Sequence, residues 1–65
     1  SRVTSITQYF ANSTNTSVPS EGWSTNKPVL NKDKPYLFRY FTVNYVNSNS
    51  QSTSTNSTKK AIAKY

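Results

Sequence analysis

Between Lys34 and Val46 the chain reads Lys-Pro-Tyr-Leu-Phe-Arg-Tyr-Phe-Thr-Val-Asn-Tyr-Val, with three of its five tyrosines and two of its three phenylalanines. Aromatic and β-branched side chains at this density fit a pleated, half-buried surface, so one long strand is predicted over Pro35–Val46. Pro35 presets the backbone at the strand start, where its missing N–H costs nothing. Strand alternation puts Leu37, Phe41, Val43 and Tyr45 on one face, interrupted by Arg39. Tyr36, Phe38 and Tyr40 share the other face, followed by Thr42 and Asn44. Two apolar faces predict a central strand. Leu37, Phe41 and Val43 are expected to face the core, and Tyr36, Phe38 and Tyr40 to meet a neighbouring module or a covering loop.

That strand stands in a chain otherwise built largely from Ser, Thr and Asn. At 65 residues there is one domain at most, and a chain of this size buries only about 60% of its unfolded surface. Small domains usually add disulfides or a metal, but this one has no Cys and no His. Neighbouring modules or other copies of the chain are therefore the expected source of extra stability.

The missing residue types also prune the chemistry. Without Cys or His there is no zinc site of ordinary ligand type, no thiol nucleophile and no imidazole base. Glu21 and Asp33 are the only acidic residues, each in polar, loop-like sequence, and neither an enzyme nor a cofactor is expected. The net charge of +6 raises the question of nucleic acid. The basic residues are dispersed, however, with only Lys59 and Lys60 adjacent, so that reading is disfavoured. Solvated surface lysines that keep sheet edges apart come first, and attraction to an anionic glycan or bacterial envelope lies between. No apolar stretch reaches the roughly 18 residues that a membrane helix requires.

Along the chain, Arg2–Phe10 alternates loosely and predicts a first strand, and Ala11–Glu21 reads as loop closed by Pro19. Gly22 either adopts a dihedral closed to other residues or lets another backbone approach. Trp23 is then either a core anchor or an exposed stacking platform. Asn47-Ser48-Asn49-Ser50 predicts a tight hairpin turn, pairing Tyr36–Asn47 with a return arm over Gln51–Ile62.

Three blocks carry a resemblance to a known family. They are Val3-Thr4-Ser5-Ile6-Thr7-Gln8-Tyr9-Phe10, Gly22-Trp23-Ser24-Thr25-Asn26-Lys27-Pro28 and Lys34-Pro35-Tyr36-Leu37-Phe38-Arg39-Tyr40. In order and spacing they resemble a β-rich module repeated in phage and prophage tail-fibre, tail-tip and minor structural proteins. Phe38 stands where that family often has Trp, and the hairpin turn lacks its usual Asp-Gly. The resemblance implies an all-β fold, a small antiparallel β-sandwich or sheet of about four to five strands, immunoglobulin- or fibronectin-like. It implies one module over residues 1–65, excised from a longer chain, in a virion or extracellular setting. The function implied is structural or adhesive, in tail assembly and host-surface attachment, with neighbouring modules, copies of the same protein and a bacterial surface glycan as partners. The alternative is a carbohydrate-binding module in which Trp23, Tyr36, Tyr40 and Tyr45 stack on sugars while Arg39 and Asn44 bond hydroxyls. Together with Phe38, these are the candidate interface residues.

Overall fold

A computed structural model describes residues 1–65 and is all-β. Four strands, β1 (Arg2–Ser13), β2 (Tyr36–Val46), β3 (Ser52–Asn56) and β4 (Lys60–Lys64), form one antiparallel sheet. The aromatic run becomes β2, and it is central. Strand β1 pairs along its whole length, from Arg2 opposite Val46 to Ser13 opposite Tyr36. On the other side β3 covers Thr42–Val46 and β4 covers Tyr36–Arg39. Of the two all-β forms expected, the molecule takes the sheet: no second layer of strands is present. The first strand also continues past Phe10 to Ser13, because Ala11 and Asn12 still have partners in Phe38 and Leu37.

The return arm is one strand interrupted at its middle. Ser57 N–H donates to the Phe41 carbonyl at 2.8 Å, but the Phe41 N–H donates to Ser57 Oγ at 2.8 Å, not to a backbone carbonyl. A hydroxyl thus replaces a rung of the ladder, and the chain detours through Thr58 and Lys59 before pairing resumes at Lys60. The hairpin turn is held largely by one side chain. Asn47 Oδ1 accepts from the N–H groups of Asn49 and Gln51, at 2.9 and 3.0 Å. Ser50 completes the turn at φ 60°, a left-handed conformation that ordinary residues rarely adopt.

The buried residues, Phe10, Ala11, Leu37 and Phe38, sit side by side at one end of the sheet. Ala11 lies directly opposite Phe38 on one face, which we term the aromatic face, while Phe10 and Leu37 point to the other. From this end residues 14–35 leave and return as a long loop whose half-buried members are Pro19, Trp23, Pro28, Leu30 and Pro35. The loop is tied to the sheet by reciprocal backbone bonds between Phe10 and Ser24, at 2.7 and 2.9 Å. Gly22 has φ 83° and nothing within 4 Å of where a Cβ would lie. The backbone dihedral, not a close approach, is therefore what calls for glycine there.

This arrangement corrects the expected assignment of faces. Phe38, expected at an interface, is 2% exposed and has no surface to offer a partner. Leu37 is buried as expected, but Phe41 and Val43 on the same face are only half-buried. The loop, tethered at Ser24, lays Trp23 against Tyr40 on the aromatic face. The result is an open, elongated molecule. Its accessible surface is 4682 Å², against about 4,200 Å² for a compact monomer of this mass. Its radius of gyration is 14.3 Å, against about 11 Å for a compact domain of this length.

Candidate interaction surface

On the aromatic face, Tyr9 and Tyr40 are cross-strand partners, and their rings stack at 5.1 Å between centroids. Trp23 meets Tyr40 edge-on at 4.9 Å, and its indole N–H donates to the Pro19 carbonyl at 3.1 Å. The ammonium of Lys59 lies 5.5 Å from the Trp23 ring and 5.3 Å from that of Tyr40. Lys64 sits over Tyr36 in the same way, at 5.7 Å. Trp23 thus spends its hydrogen-bond donor inside the loop and packs T-shaped with Tyr40, while Lys59 lies over both rings. The face is a covered layer with cations on top. It is not a bare stacking platform.

The opposite face is closed at its Phe10–Leu37 end and open toward Val3 and Ile6. Ile6 pairs with Val43 and Val3 with Tyr45, so all four side chains project together. In a regular strand Val3 and Ile6, three residues apart, would point to opposite sides. A register shift between Val3 and Ser5 inserts one extra residue and brings both onto this face. Ile6 is 61% exposed and Val3 56%. Further along, the Arg39 guanidinium stacks on the Phe41 ring at 5.0 Å. A second irregularity, between Leu37 and Phe38, leaves Ile62 without a partner residue in β2, and Ile62 joins the open face beside Phe41.

Two shallow clefts flank this surface. One, of about 340 Å³, is lined by Arg39, Phe41, Ser57, Thr58, Lys60 and Ile62. The other, of about 370 Å³, is lined by Thr4, Asn44, Tyr45, Ser52, Thr53 and Ser54. In the second, Asn44 donates through Nδ2 to Ser5 Oγ at 3.2 Å, and its carbonyl accepts from Thr4 Oγ1 at 3.1 Å.

The seven residues singled out from the sequence therefore do not converge on one site. Trp23 and Tyr40 touch each other, Tyr36 lies on their face beneath Lys64, and Phe38 is buried. Arg39 lines the first cleft, and Asn44 and Tyr45 the second. The residues that sequence reasoning missed are Val3, Ile6, Lys60 and Ile62. Two strand irregularities set the facing of Val3, Ile6 and Ile62, and no residue pattern announces either one. No group of three or more His, Cys, Asp or Glu side chains is placed to hold a metal ion, and no helix is long and apolar enough to cross a membrane. Comparison with protein-family models, with curated proteins and with solved structures gives no match.

Proposed function

We propose that this chain is a structural or adhesive module of a phage or prophage tail or fibre protein, which assembles by pairing its open sheet face with that of a second copy. The observation that carries the assembly reading is the apolar group in which Val3 and Ile6 are exposed beside half-buried Val43 and Tyr45, on a sheet with only four buried residues. Apolar surface left in water at this scale marks an interaction site in a small domain. The elongated shape, 48 Å in its longest extent, suits a spacer in a fibre. The Ser, Thr and Asn side chains of β3 suit an exposed outer strand.

A two-fold axis running across the strands near the Ile6–Val43 pair gives a self-complementary contact. It also sends Arg39 of each copy to opposite sides of the axis, about 13 Å from Val43 along the strand, which keeps the two cationic regions apart. Sedimentation of the wild-type chain from micromolar to millimolar concentration tests the pairing. The expected result is a reversible rise in mass that Ile6→Ser abolishes while the circular dichroism of the fold persists. A wild-type chain that stays monomeric throughout contradicts it.

A further inference from the structure

The cleft beside Phe41 has a charge arrangement that the assembly reading leaves unexplained. Arg39 and Lys60 are direct cross-strand partners, and like charges placed so destabilise a sheet. Neither has a carboxylate side chain to pair with on the sheet, because both acidic residues, Glu21 and Asp33, lie in the exposed loop. The third strand breaks at this point. Ser57 turns its hydroxyl into the ladder, and Thr58 forms the cleft wall. The unpaired Ile62 adds an apolar side next to Phe41, whose ring already carries the Arg39 guanidinium. A strand irregularity that re-aims a side chain beside unpaired charges is a common way to build a site. The volume, about 340 Å³, falls at the lower end of the range for small-ligand pockets, roughly 300–1,000 Å³.

We propose that this cleft binds an oxyanion carried on a sugar-sized body. The anion sits between the Arg39 guanidinium and the Lys60 ammonium, and the apolar face of the sugar lies on Ile62, beside the Phe41 ring that carries the guanidinium. Guanidinium and ammonium donors form their strongest hydrogen bonds to ionised oxygens, and the anion also relieves the Arg39–Lys60 repulsion. The hydroxyl of Thr58 supplies a polar contact at the rim. An acidic saccharide, with its charge as a carboxylate or a phosphate ester, matches this combination of two cations, a hydroxyl and an apolar wall. The site lies on the half of the open face away from Val3 and Ile6. In the proposed pairing a second copy overlies Phe41, so self-association and binding compete for this face; the titration is therefore run on the full chain carrying Ile6→Ser, which frees the face and leaves the cleft's own residues unchanged.

The test is a titration of the full chain carrying Ile6→Ser, followed by amide NMR, with galacturonate, galactose, glucose 6-phosphate, glucose and inorganic phosphate. At least one of the two acids is expected to bind about tenfold or more tightly than its neutral parent, and the acid that does so identifies the oxyanion. The shifts should centre on Phe41, Ser57 and Thr58. Lys60→Gln alters an exposed side chain and should leave the fold intact while weakening binding about tenfold. Lys64→Gln, over Tyr36 on the other face, should leave binding unchanged. Equal binding of acids and neutral sugars overturns the proposal, as does equal loss in the two lysine variants. Inorganic phosphate binding as tightly as either sugar acid removes the role of the apolar wall and overturns it too. Tighter binding of a single-stranded oligonucleotide at the same salt assigns the cleft to nucleic acid and likewise overturns it.

Discussion

Trp23 packs its ring edge-on against Tyr40, with centroids 4.9 Å apart and planes at 74°. The contact joins the middle of the long loop to the middle of the central strand. It packs the loop onto the aromatic face, while Phe10 and Leu37 are buried on the other face at the same end of the sheet. Aromatic pairs in this geometry contribute about 0.5–1.5 kcal/mol beyond the area they bury.

Trp23→Ala should therefore lower stability by about 2–3 kcal/mol, somewhat less than truncation of a fully buried aromatic. That is a large share of the roughly 3–10 kcal/mol available to a chain of this length. Trp23→Phe keeps an aromatic ring but loses the pyrrole half of the indole and the bond to the Pro19 carbonyl, and should cost about 1–2 kcal/mol. Urea denaturation of both variants checks this. An unchanged midpoint for Trp23→Ala would return the indole to the role of a free stacking platform.

Gly22, immediately before that anchor, holds φ 83° with open space around it. Gly22→Ala meets no clash but imposes a left-handed conformation on an L-residue, with an expected loss of about 1 kcal/mol. Thermal melting of the two proteins side by side reads the difference. A stabilised alanine variant would show that the loop does not need this dihedral.

The hairpin turn offers a pair of changes with opposite signs. Ser50 has φ 60°, so Ser50→Gly should stabilise the fold by up to about 1 kcal/mol. Asn47 Oδ1 accepts two backbone N–H groups, so Asn47→Ala should destabilise it by about 1 kcal/mol. Denaturation midpoints moving the same way for both would contradict this account of the turn.

How far the sequence could be read differs from element to element. The central strand is legible because Tyr36–Val46 is dense in aromatic and β-branched residues on both faces, and the hairpin because Asn47–Ser50 is a polar break between two runs of strand character. The division of labour between the faces was not legible. It depends on residues 14–35 tying back through Ser24 to Phe10, a contact between segments with no local signal. The open face was obscured for a second reason. Val3 and Ile6 are spaced to oppose each other in a regular strand, and only the irregularity between Val3 and Ser5 brings them together. Arg39 was recognised as a candidate. Its partner Lys60 reads as solvated surface charge, because nothing in the sequence shows that the return arm breaks and resumes with Lys60 facing it.

Solvent paramagnetic relaxation of the methyl groups, measured as the protein is concentrated, tests the central claim most directly. Val3 and Ile6 in the open face and Val18 and Val29 in the loop are all exposed in the isolated chain. If the open face pairs with a second copy, Val3 and Ile6 lose their accessibility to a soluble paramagnetic probe with increasing concentration, while Val18 and Val29 keep theirs. Val3 and Ile6 remaining as accessible as Val29 at every concentration, or protection appearing in the loop instead, would contradict it.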